Sequence, residues 1–201
     1  MSEAESTPKK QKSRKRDLIE WGLIIVIAIT LYTTGYHTEV IGTIQRGLLL
    51  TGIIRPDTTP EAEDIRKASF NFPLITIDGE QTSLKEFEGK TIFLNFWATW
   101  CPPCIAEMPN IQDLYDDLKD NDDVVFVMLS LDEDPDVARA FLERKEFTLP
   151  VYFRAGRQPG VYNSTVVPTT YIISPEGNIV SEKRGMAKYN TSSFKEFLTG
   201  L

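Results

Sequence analysis

The sequence predicts an α/β domain, a central mixed sheet flanked by helices, carried behind an N-terminal transmembrane helix. Three observations lead there. An almost uninterrupted apolar run at residues 18–36 is long enough to span a bilayer. Beyond residue 70, short apolar runs rich in β-branched and aromatic side chains alternate with helical segments. Both cysteines of the 201-residue chain lie in one tetrapeptide, Cys101-Pro102-Pro103-Cys104, at a strand-to-helix junction.

The chain opens on a basic tail, residues 1–17, with Lys9, Lys10, Lys12, Arg14, Lys15 and Arg16 against three acids. The run LIEWGLIIVIAITLYTTGY follows at 18–36, with Glu20 as its one charged residue. At about 1.5 Å per residue it reaches roughly 28 Å, close to a bilayer's hydrocarbon thickness. Trp21, Tyr32 and Tyr36 stand near its ends, where aromatic belts lie. The basic cluster before it, against sparse Arg46 and Arg55 after it, predicts a cytoplasmic N-terminus and an extracytoplasmic remainder. A cleaved signal peptide is the rival reading; a retained anchor is preferred because no alanine-x-alanine pattern precedes a cut.

Residues 37–66 read as an amphipathic segment and a linker. Val40, Ile41, Ile44, Leu48 and Leu49 recur at helical spacing, while Gln45 and Arg46 interrupt them. The pattern predicts a helix lying on the membrane surface, with packing on the soluble domain as the alternative. RPDTTPEAED then has a linker's proline and acid content.

The domain at 67–201 is predicted element by element. FPLITI and QTSL flank Asp78-Gly79 as a hairpin. TIFLNFW is a buried strand, 103–118 a helix, VVFVMLSL a second buried strand, 135–146 a helix and LPVYF a strand. TTYIIS and NIVSEKR bracket a Pro-Glu-Gly-Asn turn, and 192–198 closes as a helix with Phe194, Phe197 and Leu198 on one face. From residue 56 onward there are 14 basic and 24 acidic side chains, a net charge of −10, which argues against nucleic acid as a partner.

The dithiol carries the chemistry. A bridge across two intervening residues closes almost no loop, so it gains little by constraining the unfolded chain. At a helix N-terminus, however, backbone N–H groups and the helix dipole favour a thiolate. Structural zinc takes four ligands, and the sequence offers two cysteines and the distant His37. Metal handling and an inert dithiol are the lesser alternatives.

The run FLNFWATWCPPCIAEMP, followed by VVPTTYIISPEGNIV, resembles the membrane-anchored thioredoxin-like proteins of the TlpA, ResA and CcmG group. The resemblance covers roughly residues 67–201 and implies a thioredoxin-like fold. It also implies that Cys101 attacks from an exposed helix start and Cys104 resolves from one turn inside. Pro168 matches the group's cis-proline, which leaves the backbone of Val167 free to pair with a substrate segment. Trp100, Pro102 and Pro103 complete the expected substrate-facing surface. Asn95 stands where classical thioredoxins hold a buried aspartate, whereas Glu107 occupies the position of a functional glutamate in ResA-like proteins. With no histidine after residue 37, a carboxylate is the best available proton carrier. Trp97 is expected in the core, and Pro109 is expected to shape helix packing.

The expected function is dithiol–disulfide exchange without a bound cofactor. Its partners are client proteins with disulfides or thiols, apocytochrome c among them, and a membrane dithiol as electron donor. An oxidase that introduces disulfides, a redox-inactive binding module and a peroxidase are the competing readings. The last is disfavoured because the proline pattern before a peroxidatic cysteine is missing.

Overall fold

All seven residues of TIFLNFW are buried, and this run forms the middle of the sheet. The computed structural model describes residues 14–34, 36–56 and 65–201. Most of the expected basic tail and most of the linker lie outside the described residues. By its internal packing the chain divides into Met1–His37 and Thr38–Leu201.

The first unit contains one helix, α1 (Arg14–Thr33). Across residues 18–32 its large apolar side chains other than Leu31 are 50% to 74% exposed. The helix starts four residues before the expected span and stops three short of its end. No single helix among the described residues is long and apolar enough to cross a membrane, although Arg16–Thr33 and His37–Leu50 taken together pass on length and composition. The difference from expectation has a sequence cause: the opening turns carry Arg16, Asp17 and Glu20.

The second unit holds α2 (Tyr36–Leu50) from Thr38 onward, then β1 (Arg66–Lys67), β2 (Pro73–Thr76), β3 (Gln81–Ser83), β4 (Thr91–Trp97), α3 (Pro102–Leu118), β5 (Val124–Ser130), α4 (Pro135–Lys145), β6 (Val151–Arg154), β7 (Thr169–Ile173), β8 (Asn178–Arg184) and α5 (Ser192–Thr199). The eight strands form one sheet in the order β1-β8-β7-β4-β5-β6-β2-β3. β4, β5 and β6 run parallel, and the remaining pairs are antiparallel. This is the mixed sheet the alternating pattern predicts, and the β2–β3 hairpin turns through Gly79 at φ 89°.

A strand's period of two divides the core. Phe93 and Trp97 of β4 join the apolar cluster that contains α3 and α5 residues, while Ile92, Leu94 and Phe96 join the cluster on the opposite face. Asn95 therefore points with Phe93 and Trp97 toward α3. Opposite Asn95 in register is Thr170 of β7, which shares that face.

The segment after α1 packs on the domain, one of the two sequence-based alternatives. Gly42 and Leu49 of α2 are buried, seven residues apart on one stripe, so the helix packs on the domain. Glu39 bonds Arg144 at 2.7 Å and Lys145 at 2.6 Å, fastening α2 to α4. Val40, Ile41, Ile44 and Leu48 nevertheless remain exposed, because the domain uses only the narrow Gly42–Leu49 stripe.

Candidate active site

Cys101 caps α3. Its backbone is extended (φ −105°, ψ 99°), and its sulfur accepts the Cys104 N–H at 3.3 Å. Pro102 and Pro103 occupy the first helical positions, where a missing N–H costs nothing and a fixed φ favours the helix. Cysteine-proline-proline-cysteine is thus a helix start as well as a dithiol. Cys101 and Cys104 are joined in a disulfide with Cα atoms 5.3 Å apart.

The expectation of an exposed Cys101 is not met. Cys101 is only 4% exposed and Cys104 is fully buried. The reason is local: the Cys101 sulfur turns into the helix end, bonded to a buried sulfur and accepting a backbone N–H. On the outer side, α2 comes so close that a Cβ at Gly42 would lie 3.0 Å from the Pro102 carbonyl oxygen and 3.2 Å from Ile105. Trp100 stands out at 57% exposure, with half-buried Pro102 and Pro103 beside it in the chain.

The Val167–Pro168 peptide bond is cis, as the resemblance implies. Pro168 is buried, and its carbonyl accepts the Gly185 N–H at 2.8 Å. Half-buried Val167 packs against the apolar cluster that holds both cysteines. Trp97 lies wholly within that cluster, and Pro109 sits inside α3.

Glu107 lies one turn beyond Cys104 on α3 and is completely buried. One carboxyl oxygen accepts the Asn95 amide N–H at 3.0 Å, and the other accepts the Ala187 backbone N–H at 3.1 Å. Burial penalises the carboxylate more than these bonds favour it, so the pKa is pushed up to about 8. Asn95 Nδ2 also donates to Thr170 Oγ1 at 2.9 Å, and Tyr189 donates to the same hydroxyl at 2.7 Å. Burial, with the charge of Glu107 behind it, holds the Tyr189 phenol well above its usual range.

Sequence reasoning missed Thr170, Tyr189 and Ala187 of this network, and it missed Asp132. The Asp132 carboxylate accepts the Thr99 N–H at 3.1 Å, the Thr99 hydroxyl at 2.7 Å and the Ser130 hydroxyl at 2.7 Å. It fixes the turn leading from β4 into the dithiol. A signal was available, because parallel pairing of β4 with β5 sets Trp97 beside Ser130, and hence Thr99 near Asp132. For Thr170, Tyr189 and Ala187 no spacing rule applies, since they arrive from the far end of the chain.

The AhpC/TSA family matches residues 65–182. Thiol-disulfide oxidoreductase ResA of Bacillus thuringiensis subsp. konkukian is 33% identical over 129 residues, covering 64% of this chain and 74% of that protein. Among solved structures, StoA from Bacillus subtilis superposes with a TM-score of 0.52 at 26% identity, over 70% of this chain and 98% of that one. A thiol:disulfide interchange protein of the thioredoxin family from Chlorobium tepidum shares the fold, with a TM-score of 0.57 at 24% identity over 67% of this chain and 96% of that one. With its paired cysteines at the start of α3 and its mixed sheet, the chain belongs to the AhpC/TSA family and, within it, to the ResA-like thiol–disulfide oxidoreductases.

Proposed function

We propose that this protein is a membrane-anchored, extracytoplasmic reductase of disulfides in client proteins, apocytochrome c being one such client. The observation that carries the reading is the Cys101–Cys104 disulfide in the first turn of α3, with a buried carboxyl one turn further along. In the reduced protein the Cys101 thiolate attacks a client disulfide. One client sulfur leaves as a thiolate, and Cys101 becomes bonded to the other. Cys104 then loses its proton and attacks Cys101, releasing the second client thiolate and closing Cys101–Cys104. Two electrons pass to the client, and a membrane dithiol returns them to the pair.

Glu107 takes the Cys104 proton in this scheme. Burial lifts the Glu107 carboxyl to about 8, which makes it a far stronger base than an ordinary carboxylate and better matched to a thiol proton. An ionised carboxylate at its usual value would be too weak a base. Trp100, Pro102, Pro103, Val167 and Pro168 form the surface that receives the client, with the Val167 backbone pairing an extended segment.

The exposed apolar length of α1 supports residues 18–36 as the anchor, the N-terminus cytoplasmic and the domain outside. The outward face of α2, with Val40, Ile41, Ile44 and Leu48, then lies on the bilayer surface while its other face holds the domain. Trapping tests the function. In a Cys104→Ala variant the mixed disulfide cannot resolve, so clients should accumulate covalently on Cys101 in the native membrane. If no thiol-reversible adducts form while Cys101 remains free, the reductase reading fails.

A further inference from the structure

A groove of about 470 Å³ opens beside Val167, where the parallel strands end. Phe96, Leu131 and Tyr162 give it an apolar, mostly buried lining. Arg154, the last residue of β6, and Arg157 line it too, and both are exposed. Among the described residues no aspartate or glutamate lines the groove, and neither guanidinium has an ion-pair partner. This is a local reversal of sign, since the chain from residue 56 onward carries a net charge of −10.

We propose that the groove is a specificity site for an extended client segment whose acidic side chains flank the reactive disulfide. The inference rests on the disulfide-reductase reading and adds the client's chemistry to it. A segment paired with the Val167 backbone continues directly into the groove. Its apolar side chains pack on half-buried Leu131 and exposed Val166, and its carboxylates meet Arg154 and Arg157. A client with basic flanks gains nothing from the groove and leaves two cations facing its own. Elsewhere the domain's acidic surface repels an acidic client, so binding in the wrong place is suppressed while the groove remains attractive.

The test uses the full-length reduced protein in detergent with three disulfides: two peptides of the same apolar sequence, flanked by glutamates or by lysines, and uncharged hydroxyethyl disulfide. Two exposed ion pairs together correspond to about a tenfold preference for the acidic peptide in kcat/KM, expressed in KM. The preference should shrink in 0.5 M salt, where the Debye length is about half its physiological value. It should vanish in Arg154→Ser/Arg157→Ser and reverse in Arg154→Glu/Arg157→Glu. Both variants should reduce hydroxyethyl disulfide at the wild-type rate, showing that fold and dithiol are intact. Equal rates for the two peptides, or an unchanged preference in the variants, overturn the groove assignment. Failure of wild type to reduce hydroxyethyl disulfide overturns the reductase reading instead.

Discussion

Asn95 and Glu107, twelve positions apart, meet side chain to side chain at 3.0 Å beneath the dithiol helix. Asn95 comes from the central strand and Glu107 from the helix packed on it. The carboxyl of Glu107 thus lies beside the strand position that Asn95 holds. The uncharged partner matters, because a second carboxylate at this distance would oppose ionisation of the first. Asn95 Oδ1 is buried without a hydrogen-bond partner. Turning the amide over would let Oδ1 accept a hydrogen bond from neutral Glu107, so this contact suits either protonation state.

Stability should depend on pH through Glu107. Its folded pKa of about 8 lies above the ordinary value of 4.5, so the folded state holds this proton more tightly than the unfolded chain. The resulting stability is complete below about pH 4.5 and is lost as pH rises through 8. Each unit of separation is worth about 1.4 kcal/mol, making the loss several kcal/mol across that window. Urea unfolding of the oxidised protein, where no thiol titrates, should show it. Glu107→Gln should flatten the curve and be the more stable protein at pH 9. Parallel curves for the two would place the titration elsewhere.

The two sulfurs should differ in reactivity once reduced. Cys101 caps the helix and lies near the N–H groups of its first turn, whereas Cys104 is wholly buried. Iodoacetamide at neutral pH should therefore label Cys101 at least about tenfold faster, the helix end favouring its thiolate. Equal rates measured by peptide mass spectrometry would reverse or cancel the assignment of attacking thiol.

Much of this was legible in the sequence because it is local. The β2–β3 hairpin was announced by Asp78-Gly79, and β4 by a run of seven residues, five of them apolar, that the sheet buries without exception. The cysteine pair, Pro168 and Glu107 are motif positions. Less legible was what depends on tertiary approach. The apolar positions of α2 suggested a face, yet packing uses Gly42, whose lack of a side chain lets the helix lie against Pro102. Periodicity counts apolar residues and cannot see a glycine as a contact. The resemblance likewise implies an exposed Cys101, and only the folded arrangement shows it turned inward.

The docking of α2 should govern access to the dithiol. Burial disfavours the charge on Glu39, but hydrogen bonds from Lys145 and Arg144 outweigh it and hold the carboxyl below its usual range. Glu39→Gln should cost about 1 kcal/mol, since the pair is partly exposed. Gly42→Leu should do more, forcing α2 off the Pro102 carbonyl. In the reduced protein that variant should let iodoacetamide reach Cys101 severalfold faster than in wild type. An unchanged rate would mean that α2 does not shield the site.

Membrane topology can be read with protease on intact spheroplasts. An epitope placed at the N-terminus should survive, and one at the C-terminus should be removed, if residues 18–36 anchor the chain with the basic tail inside. Survival of both until the membrane is opened would show that the domain is not outside.

Replacing Asn95 by aspartate asks whether Glu107 truly titrates against this strand position. Asn95 is fully buried and bonded to both Glu107 and Thr170, so an aspartate there would place two carboxyl groups at hydrogen-bond distance. Such a pair titrates as a unit, keeping one proton between its oxygens while like charges drive the second pKa upward. Wild type at pH 8 should take up about half a proton on folding, because Glu107 is then half-protonated and its unfolded counterpart is ionised. The Asn95→Asp variant should take up about one, with its loss of stability displaced to higher pH. Calorimetric unfolding in buffers of different ionisation enthalpy measures this uptake directly. If the variant folds with the same uptake as wild type, the two side chains do not share a proton, and the carboxyl at position 107 is not coupled to the strand beneath it.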